Sequence, residues 1–430
     1  MPVSPRPSDE GSVRRHIPAP STPVTIERRP RPDWPHRRLD VAALVDDGWQ
    51  PVPFEQFVLK VHSRCNLSCT YCYMYRSADQ TWRRQPGQMS QATVVRTAER
   101  IAEHAAHHGL RGVEVVLHGG EPLLAGPDSL AFAAATMRSS MPAGTTVRLS
   151  VQTNGTLLDR TMLDALARHD VRVGVSLDGG PTAHDARRPR SSGHGSHGDV
   201  SRGLALLGSA TYRHLFAGLL CVVDLDSDPV ATYEALVAHR PPTIDFLLPH
   251  ANWSDPPRRR PGDPSTAYGD WLIAVFDRWC AAPTAETSVR LFDALARTMV
   301  GRTSLVEVVG LSPATHVVVE TDGSIEQVDA LKSTYHGAAR TGLDVHRHAF
   351  DAALADPQTI ARQIGVDALA PTCRRCDIHR ICGGGYYPHR YRRRSGFHNP
   401  SVYCRDLMAL IRHMQARVEE DVARLVASRR

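Results

Sequence analysis

Four things are missing from this 430-residue chain. No apolar run is long enough to cross a bilayer, so no membrane-spanning helix is expected. No apolar stretch follows the early Arg14-Arg15 pair, so no secretory signal is expected either. Neither charge dominates: 51 basic against 45 acidic residues leave +6, which does not by itself imply a nucleic-acid partner. No short-period repeat is visible, which argues against a solenoid. What is there fits a globular protein with a large core, since 42% of the residues are hydrophobic. Nine cysteines are clustered rather than spread. With no export signal, that pattern predicts metal ligation in a reducing cytoplasm.

The first cysteine group is Cys65, Cys69 and Cys72, spaced C-x3-C-x2-C in one short loop. Three thiolates hold three of the four irons of a [4Fe–4S] cube and leave one iron free to bind a small molecule. Iron–sulfur potentials also reach values low enough for difficult one-electron reductions. Zinc is the alternative, and it would need a fourth ligand from His62 or from elsewhere in the chain.

The surroundings of the loop read as strands alternating with helices. Phe54 to Val61 predicts a strand that feeds the cysteine loop, and Ser90 predicts the cap of a helix with Val94, Ala98 and Ile101 on one face. Three apolar runs then end in polar residues and glycine. They close in His118-Gly119-Gly120-Glu121-Pro122, in Gln152-Thr153-Asn154-Gly155, and in Ser176-Leu177-Asp178-Gly179. Residues 215–223 and 244–248 predict two more strands. Such alternation means a parallel sheet with right-handed crossovers, with sites at the carboxyl ends of the strands. Six repeats predict an α/β fold, a partial (β/α)6 TIM-like barrel open on one side, which suits a peptide substrate. Glycines let backbone approach a ligand, and Glu121 has the charge to hold an amino group. Cys221 and Cys280, inside apolar segments, are expected in the core.

Taken together, these motifs resemble radical S-adenosylmethionine (SAM) enzymes with a SPASM-type C-terminal extension. The resemblance rests on the Cys65/Cys69/Cys72 loop with Tyr71, on the three strand-end motifs, and on His184-Asp185-Ala186-Arg187-Arg188. It covers most of residues 52–430. It implies a SAM site of Tyr71, Gly119, Gly120, Glu121, Gln152, Asn154, Ser176, Asp178 and Arg188. In that site Gly119, Gly120 and Glu121 would take the methionyl amine. Asn154 and Ser176 would face the ribose and carboxylate, and Arg188 the carboxylate or the cluster.

The second cysteine group, Cys373, Cys376, Cys382 and Cys404, has enough thiolates to saturate a cube or a zinc ion. By the resemblance it would hold one auxiliary [4Fe–4S] cluster. A second auxiliary cluster would need cysteines where this chain has Val328 and Tyr386, so its loss is expected. Asp329, just past the first of these positions, is then the candidate proton acceptor, with Glu320 second. Segments 326–332 and 245–250 resemble FxsB-type, cyclophane-forming peptide maturases. That branch implies a ribosomally made precursor peptide, an aromatic-ring-to-Cβ crosslink made by way of a 5′-deoxyadenosyl radical, and a reductant such as flavodoxin or ferredoxin. Formylglycine or thioether formation and RNA modification are the alternatives. The RNA alternative comes from the arginines and tyrosines between Arg374 and Arg394, a run that would serve equally to balance cluster charge or attract acidic side chains.

Four segments are predicted. Residues 1–50 form a proline- and arginine-rich mobile segment, and 51–285 the barrel. Residues 286–365 are a bridging region with a hairpin at Asp322-Gly323, and 366–430 the auxiliary-cluster region with a final helix.

Overall fold

The computed structural model describes residues 31–262 and 265–428. Chain contacts separate Met1–Arg31 from one compact unit, Pro32–Arg430, and the account below concerns the second. Most of the predicted mobile segment lies outside the described residues. From Pro32 on, however, the chain is folded. A short helix spans Val41–Asp46, capped by the Asp40 carboxylate on the Ala43 amide. Trp34 is buried beside Phe397 and stacks on His398. Proline-rich composition predicts disorder only where no apolar anchor is available, and here Trp34 is the anchor.

One sheet organises the unit. Its strands are β1 (Gln56–His62), β2 (Gly112–Gly119), β3 (Thr146–Thr153), β4 (Val171–Ser176), β5 (Phe216–Val222), β6 (Thr243–Leu247), β7 (Ser288–Val289), β8 (His316–Val319), β9 (Ser324–Glu326) and β10 (Arg340–Asp344). The order is β10-β9-β8-β1-β2-β3-β4-β5-β6-β7. Strands β1 to β6 lie side by side in chain order, all parallel, with helices in the crossovers. This is the expected α/β fold, and among the described residues no pairing joins β7 to β10, so the sheet stays open.

The bridging region extends the same sheet. Strand β8 pairs in parallel with β1 and turns back antiparallel into β9 through Asp322-Gly323. Asp351, from the same region, accepts from His104 at 2.6 Å and from His108 at 2.9 Å, on the first long helix, Gln91–His107, and just past its end. The Phe54 amide donates to His104 Nε2, so the His104 proton sits on Nδ1, facing Asp351.

Side-chain alternation explains which residues reach the open face. Phe57, Leu59 and Val61 of β1, with Val113, Val115 and Leu117 of β2, are buried together in the main core. The intervening residues point the other way, because successive strand side chains alternate. Lys60 therefore faces inward, in register with His118. The last helix, Cys404–Ser428, packs on the helix Ala267–Cys280 through Leu407, Leu410, Ile411 and Met414. Further along the same helix Val418 is exposed. No described helix is long and apolar enough to cross a membrane.

Candidate active site

The Cys65–Cys72 loop leaves the end of β1 and lies across the carboxyl ends of the neighbouring strands. Gly119 and Gly120 make this possible. A Cβ at Gly119 would run into the His62 carbonyl, and one at Gly120 into the Tyr75 hydroxyl and the Arg64 carbonyl. The turn after β2 can hug the loop only without side chains there. The Gly120 and Glu121 amides donate to the His62 and Arg64 carbonyls.

Cys65, Cys69 and Cys72 are all half-buried and free. Burial pushes the Cys65 thiol up to about 12, and the neighbouring Cys69 and Cys72 add to the rise. Burial also raises Cys69 and Cys72. It is opposed by Arg188 at Cys69, and by the Tyr75 and Met74 amides and then Arg188 and Lys60 at Cys72. Three mutually repelling sulfurs beside a buried guanidinium and backbone donors are a donor set that a cationic cluster would discharge. The residues fit the group.

The expected SAM residues are joined by hydrogen bonds to one another and to the cysteine loop. Glu121 has no exposure at all. Its carboxylate accepts from the Leu123 amide (2.9 Å), the Thr153 hydroxyl (2.7 Å) and the Asn154 amide (2.8 Å). It thus ties the turn after β2 to the end of β3, and burial raises its pKa in spite of these donors. Asn154 donates to Asn66 Oδ1 at 2.8 Å, bracing the cysteine loop. Gln152 donates to Ser176 Oγ at 3.2 Å. Tyr71 donates to Asp178, whose other oxygen accepts from the Val222 amide at 3.0 Å. Arg188 donates to the Tyr71 oxygen at 2.5 Å, and its buried Nε has no partner.

Asp329 and Glu320 fall into one buried group of charges. Asp329 forms an ion pair with Lys60, and its Oδ1, also buried, has no partner. Burial pushes the Asp329 carboxyl up, but Lys60 and then Lys332 outweigh it and hold it below the usual carboxylate range. Lys332 pairs with Glu320 and lies 2.8 Å from Glu326. Burial, only partly offset by Lys332, raises Glu326 to about 7. Tyr73, which follows Cys72, packs on His250 with ring centres 4.6 Å apart. Tyr386 tilts towards the same imidazole. Lys60, Lys332 and His250 were not singled out from the sequence. A lysine inside the apolar Phe57–Val61 run was the available signal.

The four C-terminal cysteines also come together. Cys404 raises Cys373 and Cys382, and Cys376 raises Cys404, in each case after burial. Val328 is packed among Trp34, Leu331 and Tyr391, and Tyr386 borders the same cluster, so no thiol stands at either position. Of the basic run, Arg390 is buried and donates to the Gly383 and Gly385 carbonyls. Arg374 donates to the Leu369 and Asp367 carbonyls. Both hold the local loop together, while Arg375, Arg392, Arg393 and Arg394 are exposed. Cys221 is buried in β5, and Cys280 packs against the main core.

Residues 59–233 match the radical SAM superfamily. The chain is 28% identical over 348 residues to the serine-type anaerobic sulfatase-maturating enzyme of Klebsiella aerogenes, covering 79% of this chain and 81% of that one. It is 27% identical over 286 residues to the cysteine-type enzyme of Clostridium perfringens (strain 13 / Type A), covering 64% and 74%. The solved structure of native anSMEcpe with bound AdoMet superposes with a TM-score of 0.73 at 22% identity, covering 85% of this chain and 98% of that one. Streptococcus suis SuiB bound to precursor peptide SuiA gives 0.55 at 12% identity, covering 84% and 78%. By its fold, its cysteine loop and these similarities, the chain is an enzyme with a radical SAM domain at residues 59–233 and a C-terminal extension consistent with a SPASM-like domain, using S-adenosylmethionine and [4Fe–4S] iron–sulfur as cofactors.

Proposed function

We propose that this enzyme is a peptide maturase that removes two hydrogens from a side chain of a peptide or protein segment. The observation that carries the reading is Asp329: a buried carboxylate held in its charged form, with one oxygen unpartnered. A proton acceptor must be ionised and must have a free lone pair within reach of the substrate. Cys65, Cys69 and Cys72 would hold the cluster that binds SAM, and Cys373, Cys376, Cys382 and Cys404 one auxiliary [4Fe–4S] cluster. When bound, these groups supply hydrogen-atom abstraction and an electron acceptor, respectively. The protein's own part is to bind the peptide across the open face, exclude water, and receive the released proton on Asp329 Oδ1. Glu320, occupied by Lys332, shapes the charge around it.

Formylglycine formation is the product best supported, because the named relatives are sulfatase-maturating enzymes. Oxidation of a serine there loses a hydrogen atom from Cβ, then an electron and a proton; a cysteine loses the same, and its thioaldehyde then takes up water and releases hydrogen sulfide. A ring-to-Cβ crosslink has the same balance, the proton then coming from the ring. This second reading is favoured by the FxsB-like segments 326–332 and 245–250, and by the apolar packing at Val328 and Tyr386. In either case a single-electron donor such as flavodoxin or ferredoxin is required. Mass spectrometry of candidate peptides after anaerobic turnover tests the proposal. Loss of two hydrogens is expected from a serine or a crosslinked peptide, and from a cysteine the same loss with sulfur replaced by oxygen; the formylglycine aldehyde reacts with hydrazide, and a crosslink gives joined fragment ions. Unchanged mass in sulfatase-derived and neighbouring small-gene peptides alike contradicts it.

A further inference from the structure

The inner face of the sheet carries a lysine with an unusual pair of neighbours. Lys60 is 1% exposed in the middle of β1. A buried ammonium is costly unless it is paired and fully hydrogen-bonded. Its partners are the Asp329 carboxylate and, 3.0 Å away, His118 Nδ1, with the Met74 sulfur at 3.9 Å. The strand register sets the second contact directly, since Lys60 and His118 are paired residues of β1 and β2.

We propose that Lys60 is a positioning residue for the reaction: its ammonium, held from behind by a neutral His118, fixes Asp329 as a charged acceptor with one oxygen committed and the other free. This rests on the reading of Asp329 as the proton acceptor.

The argument runs through the charges. Lys332, the other buried lysine, is paired with two carboxylates, Glu320 and Glu326. Lys60 is therefore the cation in direct ion-pair contact with Asp329, and Lys332 acts on it only through space and while paired elsewhere. His118 is driven down to about 3 by burial and then by Lys60. It thus stays neutral at physiological pH, and its Nδ1 lone pair can accept from the ammonium. The Lys60 ion pair engages Asp329 Oδ2 and leaves Oδ1 unpartnered. A carboxylate pinned at one oxygen cannot rotate away, so the other keeps a fixed direction. The remaining groups around Asp329 are Tyr73 from the helix after the cysteine loop, His250 past the end of β6, Tyr386 from the C-terminal extension, and His316 of β8, which desolvation also keeps neutral. Burial keeps both tyrosines protonated and His250 neutral, with a pKa of about 4. None of them substitutes for the Lys60 charge.

The test begins with the full chain and needs no turnover. Infrared titration follows the protonated-carboxyl band that is missing in Asp329→Asn. In Lys60→Met its midpoint should rise by at least about one pH unit, a tenfold change in proton affinity. Lys60→Arg should return it towards the wild-type value. An unmoved midpoint in Lys60→Met overturns the proposal. His118→Phe is the second variant and retains the lysine: a smaller rise is expected, and no rise removes His118 from the device. If Lys60→Met does not fold, Lys60→Gln, which keeps a hydrogen-bond donor but no charge, takes its place, and an unmoved midpoint there overturns the proposal. With a peptide that the wild type converts, Lys60→Met should release at least about tenfold more 5′-deoxyadenosine per modified peptide, and its acid limb should move up. Equal losses of cleavage and product, with the acid limb unmoved, would indicate a merely structural lysine. Should the wild type convert no peptide, the maturase reading fails, while the infrared midpoint still decides whether Lys60 governs Asp329.

Discussion

At the scale of single residues, position matters more than residue type. Glu121 and Asp329 are both buried carboxylates, but Glu121 spends its oxygens on three donors of its own chain while Asp329 keeps one free. Asp329→Asn should therefore lower product formation by roughly 10²–10⁴-fold, the usual contribution of a positioned base, while SAM cleavage to 5′-deoxyadenosine continues. Parallel assays of both products check this, and product formation near the wild-type rate would contradict it. The sequence marked Asp329 only by its place after a missing cysteine. It could not show Lys60 beside it, because the two lie far apart in the chain and meet only when β8 docks on β1. The arginine run was open to several readings for a related reason. Charge clustering is visible in a sequence, but the carbonyl partners of Arg374 and Arg390 are not.

At the scale of elements, the strand-end turns were the most legible part of the chain. Apolar runs closing in glycine and polar residues mark a parallel sheet, and β2, β3 and β4 end where those motifs stand. Gly120 shows how tightly the first turn is built. Gly120→Ala should force the turn off the cysteine loop and weaken SAM binding at least about tenfold, with a stability cost of about 1–3 kcal/mol for overpacking. Equilibrium binding of SAM to the reconstituted protein measures this, and an unchanged affinity would contradict the cradle. Less legible was the fate of residues 286–365. Short strands such as β9 carry little periodicity, and nothing local specifies that β8 lies parallel to β1. The folding of residues 32–50 was hidden for a similar reason, since Trp34 finds its partners near the other end of the chain.

At the scale of the whole molecule, four histidines held neutral by desolvation set the acid limit of the fold. Burial lowers His118 and His184 to about 3, and His250 and His316 to about 4. Unfolded, each would take a proton near pH 6.5. Below that pH the unfolded chain binds protons that the folded chain refuses, so stability falls as pH drops from about 6.5 towards 4. Each histidine contributes up to about 1.4 kcal/mol per pH unit. Urea unfolding between pH 7 and 5 should show the midpoint falling, and a flat or rising midpoint would contradict these burials. The two cysteine groups make a second prediction. The reconstituted chain should hold about eight irons, and Cys376→Ala together with Cys382→Ala should leave about four. A zinc content in place of iron at the second group would assign it to a structural metal instead.

The central claim is that Cys65, Cys69 and Cys72 hold a cluster with one iron open to SAM. Its most direct measurement is anaerobic incubation of the reconstituted protein with SAM and dithionite. The account predicts 5′-deoxyadenosine and methionine in equal amounts, and neither in Cys72→Ala. A wild-type protein that binds no iron, or that releases no 5′-deoxyadenosine, would contradict it.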